Sequence, residues 1–511
     1  MLNKIVLWDS RKEISSCISP TVIATVLVLP IGLGLGILLS KKLSTMITPS
    51  VTRVVSSLPP FAIWGCFIGV LLMALIIILR QYELAATVVL AISLYADWYL
   101  GLTFVAPILT LILLLILFLG RSPLYPWAVP RPLWLWVLFL VWTLLETDRA
   151  PSFLYGAEYY SDNIFTALVM LWLGIVIARD TGHIRRLFQI VAVFGALIAI
   201  HTIIEATTGI VLLESSRGAA NAVSTEYLGP SAKAIHRAES FFANSNSDGA
   251  FLAIVFFVPL ALSALKSSFF GKMILFCEML AILTALLFTY STGAWSAVLV
   301  SFIVFTLLAG RVRYCIQNFF LLLAAGVVGI VGFPSQLSIL FGHATDPSEL
   351  ALRTGVWQSA IRVIEAFPLT GLGIGRDVYL YGYQPYRVFG EYQLVDHPHN
   401  SFLEFAALGG LPVGIMFIAL LAVTLWLAFR NWLQIDVDNR PLLAGGIATA
   451  ISLSWFSLSD AGWTVAPLLA IGWLLLGVVS SPLFLKKSIV PVQAEASVEL
   501  DSACHVQVEA S

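Results

Sequence analysis

Long apolar runs, each about as long as a bilayer is thick, constrain this chain more than any other feature. A membrane-spanning helix needs roughly 20 apolar residues, and windows of ~19 residues give about fourteen such segments. They lie at 20–39, 60–79, 84–100, 102–119, 132–146, 163–178, 187–209, 248–265, 272–289, 294–309, 317–333, 401–429, 441–458 and 463–480. Hydrophobic residues make up 59% of the 511 residues and charged residues only 11%, which excludes a soluble protein. We therefore predict an all-α polytopic membrane protein with about 12–14 transmembrane helices.

Lysine and arginine residues in the short loops predict how the chain is oriented. Cytoplasmic loops of membrane proteins carry an excess of these residues, and a cytoplasmic N-terminus places most of them inside. The exceptions outside are Lys41, Lys42, Arg53 and Arg149. The polar tail 486–511 is then predicted to be a disordered cytoplasmic segment. We predict that both termini lie in the cytoplasm.

Two extracytoplasmic segments are too long to be simple connections between helices. One runs over about 211–247 and the other over about 334–398. Loops longer than about 15 residues usually carry function or are disordered. The predicted organisation is therefore a set of N-terminal transmembrane helices at 1–210, a functional region with both loops at 211–485, and the tail at 486–511.

The second long loop contains a stretch with helical periodicity. Leu350, Trp357, Ile361 and Ile364 recur at the spacing of one helix face. This pattern predicts an amphipathic helix over 349–367 that lies on the membrane surface or packs over the bundle.

The same loop ends on two histidines, in the sequence His397-Pro398-His399-Asn400, where an apolar helix begins. Histidine titrates close to neutral pH and suits general acid–base chemistry. Two other interpretations stay open: His399 caps the following helix, or Asp396, His397 and His399 bind a metal such as Zn²⁺. Pro398 hampers chelation by its two neighbours. The five cysteines are scattered and predict neither a disulfide framework nor a cysteine metal site.

The end of this loop resembles a motif of the bacterial O-antigen ligases, the related polysaccharide polymerases and the protein O-oligosaccharyltransferases. In that family an extracytoplasmic loop closes on His-Asn, and a glycine follows in the next helix after nine intervening residues. His399, Asn400 and Gly410 fit this spacing. The second glycine of the family pattern would fall at Val413, whereas this chain has Gly414.

Three further stretches resemble the same family in the same order. Arg353 and Trp357, followed by Phe-Pro-Leu-Thr-Gly-Leu-Gly at 367–373, resemble its arginine-bearing helix and Pro-Leu-x-Gly-x-Gly run. Arg237 with Phe-Ala-Asn-Ser-Asn at 242–246 resembles its Arg…Phe-Gly-Asn-Pro-Asn. Ser-Thr-Gly-Ala at 291–294 resembles its Ser-Arg-Gly-Ala, with the arginine missing. The resemblance covers roughly residues 200–430.

The family resemblance implies a GT-C-like fold and a specific reaction. Such enzymes transfer a glycan from a polyprenyl diphosphate to an acceptor hydroxyl on the extracytoplasmic side of the bacterial cytoplasmic (inner) membrane, in O-antigen or exopolysaccharide assembly. The resemblance implies inversion at the anomeric carbon and no metal, nucleotide or other cofactor. The implied partners are the polyprenyl diphosphate-linked glycan donor, membrane lipid, and a lipid A core, glycan or protein acceptor, with no nucleic acid. Which acceptor is used stays open.

The resemblance also implies roles for individual residues. His399 is predicted to be the general base or to position the acceptor, and Asn400 to orient the loop or a sugar hydroxyl. The arginine fork binds phosphate oxygens bidentately, which predicts diphosphate ligands among the arginines of the two long loops. These candidates are Arg237, Arg353, Arg217 and Arg376. The alternative is that they pair with nearby acidic residues and serve solubility.

Other features of the sequence allow competing interpretations. A lipid-linked glycan flippase is the alternative function, but it should show internal repeats, short loops and charged residues facing a cavity, and no repeat is evident. His201 and Glu205 lie four residues apart in a predicted membrane helix, so they either serve function or hydrogen-bond each other. Asp460, in the last short outside loop, is expected to be solvated.

Overall fold

The computed structural model describes residues 131–150, 153–209, 225–226, 235–242, 244–265, 268–309, 331–345, 347–375, 377–388 and 395–482. A few isolated positions between residues 83 and 112 and between 320 and 330 are also described. The predicted segments at 20–39 and 60–79, and the tail at 486–511, lie outside these residues.

The described part of the chain is built from helices. The α-helices are α1 (Leu135–Thr147), α2 (Phe153–Tyr159), α3 (Thr166–Ile177), α4 (Thr181–Thr208), α5 (Ser245–Val255), α6 (Phe257–Ser263), α7 (Phe269–Thr289), α8 (Thr292–Ala309), α9 (Pro334–Ala344), α10 (Pro347–Ala366), α11 (Val378–Gly382), α12 (Ser401–Gln434), α13 (Arg440–Phe456) and α14 (Ala466–Ser480). Arg131–Trp134 and Gln384–Tyr386 form 3₁₀ turns, and a π-helical stretch, Tyr160–Phe165, joins α2 to α3.

A short antiparallel pair, β1 (Thr225–Glu226) and β2 (Ile235–His236), is the exception to this helical architecture among the described residues. Thr225 pairs with His236 and Glu226 with Ile235. The pair closes the chain back on itself shortly before Arg237, in the first of the two predicted long loops.

Six helical stretches in the described residues are long and apolar enough to cross a bilayer. They are Gly156–Ile177, Thr181–Thr208, Ser245–Ser263, Phe269–Thr289, Thr292–Ala309 and Ser401–Gln434, and Leu135–Thr147 and Ala466–Ser480 are shorter apolar helices. Helices α3 and α14 pack along each other, as do α8 and α13. The chain is an all-α multi-pass membrane protein, as the sequence predicts.

An aromatic core supports α12, the helix that follows His399. Phe405 and Phe417 of α12 have ring centroids 4.3 Å apart, and Phe139 of α1 lies 6.1 Å from Phe405. Trp473 of α14 joins the same cluster, 6.4 Å from Phe417. Large buried aromatic rings contribute most to core packing, so the start of α12 is fixed from several sides.

The helical backbone of α12 is interrupted at Gly410, whose φ of 75° is non-helical. The groups freed by this break bond to the Pro-Leu-Thr-Gly-Leu-Gly run. Ala407 and Leu408 accept hydrogen bonds from the N–H groups of residues 372 and 373, both at 2.9 Å, and the Leu411 N–H donates to the residue 368 carbonyl at 2.8 Å. Backbone polar groups at membrane depth must be satisfied inside the protein, and here two sequence motifs satisfy each other.

Helix α10 confirms the helix predicted in the second long loop, and Ile364 of the predicted apolar face packs against the core, but Ile361 does not. The fully buried positions are Val356, Ser359, Ala360 and Val363, which also follow helical spacing. Ile361, assigned to the buried face, is 44% exposed. The buried face is thus rotated relative to the predicted one, and the helix packs on α12, over the bundle.

Candidate active site

Asn400 is the residue that begins α12. Its side-chain oxygen accepts hydrogen bonds from the N–H groups of Phe402 at 3.0 Å and Leu403 at 3.1 Å. Its amide nitrogen donates to the Leu458 carbonyl at 3.1 Å. These are the contacts of an N-cap residue, so the helix cap is Asn400 and not His399. Asn400 thus ties the loop end to the connection between α13 and α14.

His399 is left in an unusual conformation beside this cap. Its backbone has a φ of 48°, in the left-handed region that non-glycine residues seldom occupy. Its Nδ1 atom lies 3.4 Å from Oδ1 of Asp460, and its side chain is 27% exposed. Strained backbone of this kind clusters at functional sites.

Asp460 joins both histidines of the loop. The same carboxylate oxygen lies 3.4 Å from Nε2 of His397, whose Nδ1 is 2.6 Å from Oδ1 of Asp396. The two imidazole rings meet edge to face, with centroids 4.5 Å apart. The buried Asp460 carboxylate therefore contacts both imidazole rings, and the Asp396 carboxylate contacts the ring of His397.

Electrostatics in this cluster favour charged groups. Burial opposes ionisation of Asp460, but the hydrogen bonds and charges of the two histidines hold its pKa well below the usual value. Desolvation also acts against Asp396, yet the hydrogen bond and charge of His397 lower the pKa of Asp396 to about 2. Burial works against the charge on His397, but its bonds to both carboxylates raise its pKa well above the usual value.

The expectation that Asp460 is solvated is wrong. Its residue exposure is 8%, and its carboxylate also accepts the Ala461 N–H at 2.8 Å. The missed signal in the sequence is an acidic residue kept in a short loop between two apolar helices, in a chain with 11% charged residues.

Arg353, on α10, contacts the loop that carries Asp460. Its Nη1 atom donates to the carbonyl of Ser459, the residue before Asp460. One turn further along α10, the Trp357 indole N–H lies 3.4 Å from the His399 carbonyl oxygen. The helix that carries the arginine thus lies across the loop that carries the histidine, and the two predicted site residues meet at Ser459 and Asp460.

Arg237 lies on the far side of the turn between α7 and α8. It is 3% exposed, and its Nε donates to the Thr289 carbonyl at 2.9 Å. Its Nη2 donates to Oδ1 of Asn246 at 2.7 Å. Asn244 caps α5 by accepting from the N–H groups of residues 246 and 247, at 2.8 and 3.1 Å. The two asparagines of this motif thus have different tasks, since one starts the helix and the other holds the arginine.

The Ser-Thr-Gly-Ala stretch connects the two arginine regions. A Cβ atom added at Gly293 would lie 2.8 Å from the Ser459 hydroxyl oxygen, so the turn and the Asp460 loop are in contact. Arg237 contacts this turn at Thr289 and Arg353 contacts the loop at Ser459. The four motifs therefore converge at one end of the bundle. Arg217 and Arg376 lie outside the described residues.

His201 and Glu205 do not take up the pairing with each other that one interpretation predicted. Glu205 accepts hydrogen bonds from the backbone N–H groups of Glu239 and Ser240. His201 contacts the Ser240 hydroxyl at 2.9 Å. Both residues therefore contact the segment that follows Arg237.

The metal set considered from the sequence also changes. Ligand atoms of His397, His399 and Asp460 lie within 4.8 Å of one another, a spacing that a small cation could bridge. Asp396 instead contacts the opposite ring nitrogen of His397. The structure thus places Asp460, and not Asp396, with the two histidines in the set of possible ligands.

Comparison with known proteins supports the family resemblance. Residues 277–418 match the family model described as O-Antigen ligase. The matched region contains Arg353, His399, Asn400 and Gly410, and it begins beyond Arg237. No curated protein matches the chain.

Proposed function

Because residues 277–418 match the O-antigen ligase family model, we propose that the chain is a glycosyltransferase of the extracytoplasmic membrane face. It transfers a glycan from a polyprenyl diphosphate to an acceptor hydroxyl, at the outer side of the bacterial inner membrane. The observation that carries the proposal is that Arg353 and His399 contact adjacent residues, Ser459 and Asp460. Leaving-group stabilisation and proton removal can therefore act on the same substrate pair.

The arginines are proposed to stabilise the leaving diphosphate. As the bond between C1 and the phosphate oxygen breaks, negative charge grows on the diphosphate. A guanidinium group stays charged and binds phosphate oxygens in a fork. Arg353 is half-buried beside the Asp460 loop and is proposed to meet this charge, and Arg237 supports it from the other side of the turn between α7 and α8. Water-poor surroundings strengthen such contacts.

His399 is proposed to remove the proton of the acceptor hydroxyl. Its Nδ1 faces Asp460, so Nε2 at the opposite edge of the ring is the atom that accepts the proton of the acceptor hydroxyl. The acceptor oxygen then bonds to C1 while the diphosphate leaves with the bonding electron pair, which gives inversion at C1. Asp460 fixes the ring orientation and stabilises the imidazolium that forms, as the carboxylate does in other acid–base triads.

The family match also weighs against the flippase alternative, because the motif residues gather at a site suited to chemistry. Three acceptors remain compatible with this site: a lipid A core, the growing glycan itself, or a hydroxyl on protein. All three use the same donor and the same residues.

A reconstituted transfer assay tests the proposed function. The purified full-length protein is incubated with a polyprenyl diphosphate oligosaccharide alone, with lipid A core, or with a serine-containing peptide. We expect transfer in one arm and its loss in His399→Ala at an unchanged level of folded protein. His183→Ala is the matched control. His183 pairs with Asp180 at the start of α4, so this variant should retain activity. Absence of transfer in all three arms, with folded wild-type protein, would contradict the proposal.

A further inference from the structure

The segment that carries Arg237 is held in place by the last turns of α4. His201 and Glu205 lie on one face of this helix, four residues apart, and both are buried, at 5% and 2% exposure. A buried carboxylate in a membrane-spanning helix is costly and is normally retained for a specific contact. The contact here is with the backbone that follows Arg237.

Glu205 uses both of its carboxylate oxygens on this backbone. Oε1 accepts the N–H of Glu239 at 3.1 Å, and Oε2 accepts the N–H of Ser240 at 2.8 Å. Ser240 has a φ of 49°, which a non-glycine residue rarely adopts. Two hydrogen bonds to one side chain therefore stabilise this strained turn.

His201 adds a second contact from the same helix face. Its Nδ1 lies 2.9 Å from the Ser240 hydroxyl oxygen, and its ring stacks on Phe241 with centroids 4.3 Å apart. These contacts involve side chains of the turn, whereas Glu205 holds its backbone. The two residues can therefore be separated by substitutions in the turn itself.

The turn lies two residues after Arg237 and limits where that residue can point. The neighbouring Ala238 N–H donates to the Phe288 carbonyl at 3.2 Å, and the Arg237 side chain reaches Thr289 and Asn246. The short segment is thus fixed on one side by α7 and on the other by Glu205. Loss of either anchor frees the backbone that aims the guanidinium.

We propose that Glu205 is a positioning residue for Arg237, which acts by holding the Glu239–Ser240 turn through its two backbone hydrogen bonds. The inference rests on the proposed function, which makes Arg237 a diphosphate ligand. Glu205 itself does not touch the donor.

Amide hydrogen exchange tests the anchor without any substrate. In Glu205→Gln the side chain keeps one acceptor oxygen and presents an N–H₂ group to the other backbone donor, so one bond is lost. We expect about tenfold faster exchange in the peptide that covers residues 237–242. Ser240→Gly is the matched variant, because glycine keeps the N–H and tolerates positive φ, and its exchange should stay within about twofold of wild type. Unchanged exchange in Glu205→Gln would overturn the anchor.

Binding of a polyprenyl diphosphate without sugar tests the consequence for Arg237. In detergent, the full-length Glu205→Gln protein should bind this probe about tenfold more weakly than wild type. In an Arg237→Ala background the same substitution should add less than about twofold, because its effect acts through Arg237. Effects that multiply would show that Glu205 acts independently and would overturn the inference.

Controls separate this inference from the proposed function. Thr207→Ala, on the same helix end and exposed, should bind as wild type. If Arg237→Ala binds the diphosphate as tightly as wild type, the role of Arg237 fails and the positioning inference falls with it. If Arg237→Ala binds weakly while Glu205→Gln binds normally, only the positioning inference fails. Glu205→Asp, which withdraws the carboxylate by one methylene, carries the same test if the glutamine variant does not fold.

Discussion

The two arginine regions of the site are built in opposite ways. Arg237 is almost fully buried, and its guanidinium bonds to a backbone carbonyl and an amide side chain. Arg353 is half-buried and lies beside a cluster of two histidines and two carboxylates. The first region holds a positive charge in a fixed place, while the second, the proton-exchanging region, combines an arginine with groups that can hold protons. Under the proposed function both regions contribute to diphosphate binding, and only the second also carries the groups proposed for proton transfer.

The largest effect in the comparison is expected at Arg353. Arg353→Ala should lower the transfer rate about a thousandfold, because one stabilising donor for the developing charge is lost. Arg353→Lys should lower it about a hundredfold, since an ammonium group cannot replace the fork. The transfer assay at saturating acceptor measures both, with Arg362→Lys on the exposed side of α10 as the control. Wild-type activity in Arg353→Lys would remove this residue from the diphosphate site.

Asp460 is the next test, because it belongs only to the proton-exchanging region. Asp460→Asn should lower the transfer rate about a hundredfold by leaving His399 unoriented and its imidazolium unstabilised. Binding of the donor should change little. Asp436→Asn, in the connection before α13, is the control and should keep the wild-type transfer rate and donor binding. Equal loss of donor binding and of transfer would show that Asp460 does not act on proton transfer alone.

Gly410 tests the backbone support that Arg353 and His399 share within the second region. Its φ is 75°, and an added Cβ would lie 2.4 Å from the Leu369 carbonyl carbon. Gly410→Ala should therefore destabilise the protein by about 1–3 kcal/mol and lower transfer about tenfold, since the contact joins α12, which follows His399, to the segment that follows α10 and Arg353. Gly342→Ala, whose Cβ would meet nothing within 4 Å, is the control. A thermal midpoint equal to wild type in Gly410→Ala would contradict this role.

The smallest effect is a pH dependence of stability. The raised pKa of His397 contributes stability that is fully present below its ordinary pKa of about 6.5 and is lost as pH rises through the raised value. The lowered pKa of Asp396, about 2, contributes stability that is present above its ordinary value of 3.8 and is lost at lower pH. The cluster should therefore stabilise most between about pH 4 and 6.5.

Thermal unfolding of wild type and His397→Gln across this range measures the effect. The difference between the two proteins should be largest near pH 5 and should shrink towards alkaline pH. A constant difference at all pH values would mean that His397 contributes only packing.

The sequence predicts the membrane helices and the position of His399 well, because both depend on local patterns. Apolar length predicts α4 and α7, and the His-Asn motif places the end of the loop at the start of α12. The rotation of α10 could not be predicted, because the choice between Ile361 and Val363 as the buried residue depends on the surface of α12.

Contacts between distant parts of the chain account for the remaining differences. Asp460 lies about sixty residues after His399, and only the packing of α12, α13 and α14 brings them together. Glu205 meets the backbone of Ser240 for the same reason. The two residues of such a pair are far apart in the chain and leave no local pattern in the sequence. The sequence therefore indicates the motif residues but not the partners that position them.

A side-by-side measurement of donor binding and single-turnover transfer in His399→Ala and Arg353→Ala tests the division of tasks most directly. We expect His399→Ala to bind a polyprenyl diphosphate oligosaccharide within about twofold of wild type and to transfer it at least about a hundredfold more slowly. Arg353→Ala should lose donor binding as well as transfer. Transfer by His399→Ala at the wild-type rate, with normal donor binding, would contradict the proposed role of this histidine.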